Sequence, residues 1–354
     1  MFITPTLDEI RQTILRDYQS LNNGIDISED SDTYARASAL AGAAEGLYAH
    51  QKWIVRQFFP DTADSEFLEK HAGLRGLRRK IATYASGKGV EVTGNVGAVI
   101  TTGLQIKTTD NKFYATTETV ILDDSGIATV AVRALTPGAS QNITSATSAE
   151  FMAAPAGIRT EVTINNIVGG TDAETDAALL ERLLEKIRRP AAGGNRYDYR
   201  NWALEVDGVE RAYVYPLRRG NGTVDIAITA GNTEVSEETL AACQAYIDDV
   251  RPVTAKSSYV VKPDIVKIDI DIEIKAETNT DDVVDAIKTN LTKFFDEFEP
   301  GSNLILSQLE AVVSDTPKII DRKINYPKNN LNANITTKIE WFRLGNVSVS
   351  TLES

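Results

Sequence analysis

The segment Gly169–Pro216 constrains the fold more than any other part of the chain. It reads GGTDAETDAALLERLLEKIRRPAAGGNRYDYRNWALEVDGVERAYVYP. Thr171 and Glu174 stand at capping-box spacing, which predicts a helix from about residue 172. Leu179, Leu180, Leu183, Leu184 and Ile187 then recur every three or four residues, giving one apolar stripe. Lys186, Arg188 and Arg189 occupy the last turn, where cations suit the helix dipole, and Pro190 stops the helix. After Gly193 and Gly194, the residues Tyr199, Trp202, Ala203 and Val206 share one face of a second helix closed by Gly208. From Val209 the period changes to two, as in a strand, with Val209, Arg211, Tyr213 and Tyr215 alternating with Glu210, Ala212, Val214 and Pro216. The segment reads as the point where an all-β domain hands over to an α+β domain.

Taken in order, these pieces read GG-x-D-x-E-x-D, a Leu/Arg-rich helix, Pro, a glycine loop, DY-x-x-WA, V-x-GV and a strand ending in Pro. That order resembles the baseplate J-like family, wedge proteins of contractile phage tails that include those of Mu-like phages. Phe67–Gly87, FLEKHAGLRGLRRKIATYASG, is similar to the family's bridge between helical arm and β domain, through L-x-x-x-A-x-x-x-G-x-x-R-x-x-A-x-x-A-x-G. The resemblance covers much of residues 67–275 and is strongest over 169–263. The loop Pro190–Asn195 and the strands after about residue 318 carry no family motif. The resemblance implies a wedge subunit that joins copies of itself and a second wedge tail protein into a ring around the central spike or hub. It implies that the arm helices enter an intersubunit bundle, and that host contact shifts these interfaces to release sheath contraction. The expected location is the virion tail baseplate, after a soluble stage in the host cytoplasm.

The pattern along the chain predicts a multidomain α+β protein. A helical arm is expected over 1–82, an all-β domain over 83–168, a helix pair with an α+β domain over 169–263, and a C-terminal α+β domain over 264–354. Mixed or antiparallel sheets are expected in the last two. In the arm, Leu7, Ile10, Ile14 and Leu15 form one stripe, and an alanine-rich helix is expected from Tyr34 to Phe58. Ala37, Leu40, Ala41, Ala44, Leu47 and Tyr48 make up the candidate intersubunit face, because small side chains allow close helix approach; the sequence leaves open whether its partner is the chain's own third helix, about Ser65–Gly73, or helices of other subunits. On this reading Ala44→Asp abolishes co-assembly. Tyr199 and Trp202 are expected in the core of their own domain. Asp110-Asn111 and Asp124-Ser125-Gly126 are tight-turn candidates, and Asn221-Gly222 a hairpin turn. Ser307 and Glu310 form a second predicted capping box.

With 42% hydrophobic residues, the 354-residue chain can build real cores, and a formal charge of -13 opposes general binding to nucleic acid or to anionic membrane. No stretch approaches the about 18 apolar residues of a membrane span, so membrane insertion is not expected. The cluster Arg75, Arg78, Arg79 and Lys80 reads as a solvated helix end. Cys243, the single cysteine, reads as a small buried side chain of an amphipathic helix.

Chemistry is sparse. His50 and His71 both fall on arm helices, and neither a zinc set, a Cys-His pair nor a G-x-S-x-G, H-E-x-x-H or P-loop motif can be assembled. Neither cofactor, metal nor catalytic residue is expected, and the chain reads as no enzyme. The strongest competing reading is a two-carboxylate glycan hydrolase built on Asp269, Asp271 and Glu273. Along a strand these carboxylates are about 7 Å apart, within reach of the inverting separation. Alternating acids on a wet strand face more often give solubility or protect an edge. Asp123-Asp124 is simpler as a turn than as a cation site. A carbohydrate-binding tail-tip protein would expose clustered aromatics, whereas the β region holds only Phe113-Tyr114 and Phe151.

Overall fold

The computed structural model describes residues 4–276 and 280–352. The chain divides into two units, Met1–Arg78 with Thr175–Glu185, and Arg79–Glu174 with Lys186–Ser354. The first unit is helical. It contains α1 (Leu7–Leu21), α2 (Asp32–Gln57), α3 (Ser65–Gly73) and most of α4 (Asp176–Arg188). Thr6 opens α1 with a full capping box to Glu9, and the Ser31 hydroxyl caps α2 by accepting from Tyr34 N at 3.1 Å. Leu179 and Leu183 of α4 pack on Leu68, Ala72 and Leu77. Ile187, expected on the same stripe, is exposed.

The second unit begins with a closed six-stranded barrel. Its elements are β1 (Ser86–Thr93), β2 (Val99–Ile100), β3 (Gln105–Thr108), β4 (Phe113–Thr116), β5 (Val120–Ile121), β6 (Ile127–Ala134), β7 (Thr147–Phe151) and β8 (Glu161–Ile164). The strand order is β1-β6-β4-β3-β7-β8, closed by β8 on β1, with β2 and β5 forming a separate ribbon. Alternate residues such as Val90, Ile106, Val130 and Ile164 fill the interior. Closure needs glycine in β1: a Cβ on Gly89 would lie 1.5 Å from Asn165 O, and one on Gly87 would lie 2.4 Å from Asn166 O. The β1 register shifts between Gly87 and Val90, so these glycines admit the crossing chain. The Asn111 and Gly126 turns form where expected, both with positive φ.

Two mixed-sheet layers follow, as the α+β pattern implies. The first contains α5 (Arg196–Leu204), β9 (Arg211–Pro216), β10 (Thr223–Ala230), β11 (Thr233–Glu234), α6 (Glu237–Val250) and β12 (Ser257–Val261). β10 is central, antiparallel to β9 and parallel to β12, and α6 provides the crossover. Tyr199 and Trp202 do enter this domain's core, alongside Ala212, Ile226 and Cys243. The second contains β13 (Asp264–Ala276), α7 (Thr280–Asp296), α8 (Leu306–Ser314), β14 (Ile319–Tyr326) and β15 (Glu340–Thr351). β13 lies between antiparallel β14 and parallel β15. Its Ile268, Ile270, Ile272 and Ile274 pack on Ile287, Leu291 and Phe295. The Trp341 indole, fully buried, donates to Phe298 O at 2.7 Å.

Three local expectations fail for one physical reason: long-range partners outbid local ones. Thr171 and Glu174 do not cap a helix at 172. Thr171 pairs with Thr83, and the Glu174 carboxylate accepts from Lys80 N at 3.0 Å, so α4 starts only at Asp176 with Thr175 Oγ1 receiving Ala178 N. Ser307 and Glu310 form no box either. The start of α8 has no side-chain cap of its own, and Leu306 N donates instead to Asn330 at 2.8 Å. Arg79 and Lys80 are not a solvated helix end: Arg79 donates to Glu174 O at 2.7 Å and Lys80 Nζ to Val209 O at 2.6 Å.

Candidate interface site

The arm helix α2 carries the candidate intersubunit face, and its six residues divide. Ala37 and Ala41 are fully buried where α1 packs on α2, with Leu15 buried on the α1 side. Ala44 and Tyr48 continue that face at three- and four-residue spacing and are half-buried. Leu40 and Leu47 point elsewhere, at 54% and 67% exposed. With Ile54 they recur every seven residues, the spacing of a coiled-coil seam. Ile54, Val55, Phe58 and Phe59 are exposed as well. Of the described α2 side chains only Ala37, Ala41 and Gln57 are buried, so the helix leaves most of its apolar surface in water. The heptad recurrence was present in the sequence but was masked by the alanines beside it.

The α2–α3 turn is held by a polar clasp. The Asp64 carboxylate accepts from Trp53 Nε1 at 2.7 Å and from Gln57 Nε2 at 3.2 Å, while Asp64 N donates to Gln57 Oε1 at 2.8 Å. His71 Nε2 lies 2.8 Å from Gln57 O, and the His50 ring stacks on Trp53. Both histidines are therefore engaged in the helical framework.

Within the second unit, hydrogen bonds rivet the domains to one another. Between the barrel and the first mixed sheet, Lys80 reaches Val209 O, and Gly169 presses on the α6 cap, where a Cβ would lie 2.4 Å from Ser236 N. Between the two mixed sheets, Tyr215 Oη donates to Pro300 O at 2.5 Å and Arg218 Nε to Ile335 O at 2.7 Å. Burial raises the Tyr215 phenol well above its ordinary value. The β9–β10 loop is fixed by buried Asp225, which accepts from Arg218 at 2.7 Å and from Arg219 at 2.6 Å. The Arg219 guanidinium also lies 3.8 Å from the Tyr259 ring centre. That loop spans Leu217–Gly222, longer than the tight Asn221-Gly222 turn expected, because it carries these two arginines.

Three family models match successive parts of the chain: the baseplate J-like barrel domain over residues 89–171, the central domain over 191–261 and the C-terminal domain over 266–350. Baseplate protein gp47 of Escherichia phage Mu is 31% identical over 326 residues, covering 87% of this chain and 90% of its own. The chain belongs to the baseplate J-like family. The Mu-like prophage FluMu protein gp47 of Haemophilus influenzae is 31% identical over 320 residues, covering 85% of this chain and 89% of its own. The phage-like element PBSX protein XkdT of Bacillus subtilis is 29% identical and covers 99% of both chains. The C-terminal match includes β14 and β15, where no family motif was legible.

In this baseplate J-like chain the candidate chemical residues are tied into the scaffold. Asp269 accepts from Asn346 N at 2.7 Å, and Glu273 accepts from Asn325 at 2.9 Å and from Lys323 at 3.4 Å. The Asn325 bond, with Lys323 beside it, holds the Glu273 carboxyl below its ordinary value. Because β13 is the central strand, its acids protect no edge. Asp269 and Glu273 instead bond the neighbouring strands. Asp123 forms the expected turn, accepting from Ser125 N at 2.9 Å and Ile127 N at 3.1 Å. Tyr114 and Phe151 are buried in the barrel core. Among the described residues no group of three or more His, Cys, Asp or Glu is placed to hold a metal ion, and no helix is long and apolar enough to cross a membrane.

Proposed function

We propose that this chain is a non-enzymatic structural subunit of a contractile phage or phage-like tail baseplate, at the wedge position. In this reading it is soluble until it assembles with further copies of itself and with a second wedge tail protein. Together they ring the central spike or hub and contact the sheath. The observation that carries the reading is α2, whose Leu40, Leu47 and Ile54 seam is left exposed among the described residues. A helix of this length gains its stability mainly by packing an apolar face, so a partner helix is the natural occupant. Membership of the family and similarity to the baseplate protein gp47 of phage Mu support the same reading.

The riveted domains of the second unit suit the other half of the role. A subunit that passes host contact on to the sheath must move as a body at its interfaces rather than deform internally. Fixed junctions at Lys80–Val209, Tyr215–Pro300 and Arg218–Ile335 supply that stiffness.

Co-expression with the second wedge protein, followed by size exclusion with light scattering, tests the reading. The wild type is expected to form a stable hetero-complex. Leu47→Asp is expected to abolish it while the chain stays folded, and is a cleaner probe than Ala44→Asp because Leu47 is exposed and Ala44 half-buried. Normal complex formation by Leu47→Asp would remove α2 from the interface. A chain that stays monomeric and hydrolyses a glycan would overturn the structural reading altogether.

A further inference from the structure

We propose that the loop between α4 and α5 is a cationic docking site for the acidic α1–α2 connection of a second copy of this chain, an inference that deepens the assembly role above and rests on it. Five of the fifteen residues from Lys186 to Arg200 are cations and only Asp198 is acidic, in a chain of formal charge -13. The Asp198 carboxylate is buried and turned inward, accepting from Ala192 N at 3.0 Å, Gly194 N at 2.7 Å and Asn195 N at 3.1 Å. It shapes the loop and is unavailable to the cations outside it.

The loop is braced by contacts of its own. Asn195 caps α5 by accepting from Tyr197 N at 2.7 Å and Asp198 N at 3.0 Å. Gly194 has positive φ and packs so closely on Pro252 that a Cβ would lie 2.4 Å from its ring. The Tyr197 ring holds two guanidiniums, Arg189 at 4.1 Å and Arg196 at 5.3 Å from its centre. Lys186 is occupied by Glu205 at 2.8 Å. Arg188 and Arg196 are exposed, and neither has a carboxylate partner among the described residues. The dipole of α4 favours Arg188 in its last turn. Arg196, in contrast, is the first residue of α5, where the dipole repels a cation. Its position therefore opposes the stability of its own helix.

The complement lies on the arm. From Asp17 to Ala35 the chain has five acids and no base. Asp32 is taken by Arg36 at 2.8 Å, and Asp26 is tied into a turn with Ser28. Glu29 and Asp30 are exposed and have no cation partner among the described residues. Pairing the loop of one copy with the acids of the next is a head-to-tail contact, the kind that closes into rings. A nucleic-acid partner is disfavoured by the overall charge and by a tyrosine ring already stacked with guanidiniums.

Sedimentation velocity on the full chain at low and high salt tests this. Self-association at low salt is expected, weakening as salt rises because exposed charges are screened. Arg188→Glu with Arg196→Glu should weaken it about tenfold or more, and adding Glu29→Arg with Asp30→Arg should restore it. If the glutamates disturb folding by circular dichroism, Arg188→Gln with Arg196→Gln carries the same expectation of weakening. The inference is overturned by a wild-type chain that is monomeric at every salt concentration, by unchanged association on reversing the arginines, by failure of the combined reversal to restore it, or by arginine-dependent retention of an oligonucleotide. If the reversals change nothing while Leu47→Asp still blocks the hetero-complex, the assembly role stands and only this contact falls.

Discussion

The helical arm and the C-terminal mixed-sheet domain solve opposite problems. The C-terminal domain covers β13 with two helices and fills the space with Phe295, Leu291 and a wholly buried Trp341. Its core side chains are covered by its own chain, although Ile320 and Ile335 stay exposed. The arm joins α1 to α2 through alanines, then leaves Leu40, Leu47, Val55, Phe58 and Phe59 in water. One region encloses its largest side chains when it folds; the other keeps an apolar helix face exposed. The difference teaches that buried area marks where stability is held, and contiguous exposed apolar area marks where the assembly proposed above would act.

The largest test of that contrast is Trp341→Ala, expected to cost about 3–5 kcal/mol through lost packing and a stranded Phe298 carbonyl, measured by guanidinium denaturation. A loss well under that range would mean the domain is less complete than its burial suggests. Asp225→Ala comes next, at about 3 kcal/mol, because it leaves Arg218 and Arg219 facing each other without their shared carboxylate. Here hydrogen exchange should rise at both Leu217–Gly222 and Ile335. Exchange confined to the β9–β10 loop would sever the proposed rivet.

Alkaline pH is expected to weaken the second unit. Burial pushes the Cys243 thiol from 9.0 up to about 12 and the Tyr114 phenol from 10.0 up to about 12. Both stay protonated in the fold but ionise earlier in the unfolded chain. Their contribution is therefore intact below pH 9 and is lost as pH rises through 12. Denaturation midpoints should fall across that window, and Cys243→Ala should remove the part that begins near pH 9.

Two smaller effects sharpen the arm's side of the comparison. Ala41→Leu overfills the tight α1–α2 contact and should cost about 1–3 kcal/mol, read as a lower helix melting temperature. Leu47→Asp, six residues on, should change stability by less than about 0.5 kcal/mol, because its side chain is mostly exposed. If Leu47→Asp proves as destabilising as Ala41→Leu, the exposed seam is part of the arm's own core and the contrast fails.

What could be read in the sequence was whatever short spacing encodes. The alternating acids Asp269, Asp271 and Glu273 marked the wet face of β13, opposite its buried isoleucines, and the face shared by Tyr199 and Trp202 marked a helix that enters its own domain's core. The general fold class was legible for the same reason. Barrel closure was not, because pairing β8 with β1 depends on residues some seventy positions apart and on the room left by Gly87 and Gly89. The Thr171–Glu174 spacing misled in the same way, since Thr83 and Lys80 lie outside any local window. For the candidate interface, the alanines correctly marked close helix approach, but the spacing could not say that α1 already filled it. The rivets at Tyr215, Arg218 and Asp225 carried no sequence signal beyond two adjacent arginines.

The pairing of Thr83 with Thr171 and of Ser86 with Val168 also determines how the barrel would respond to pulling. The chain enters and leaves the barrel side by side, tied by Thr83 N to Thr171 O at 3.0 Å and by two reciprocal bonds between Ser86 and Val168 at 2.9 and 3.1 Å. Tension applied across Thr83 and Thr171 is carried by these few bonds and bypasses all six strands. The barrel is thus a side-loop in the load path, a cassette that could be shortened to a turn, enlarged or exchanged without lengthening the route along which force runs.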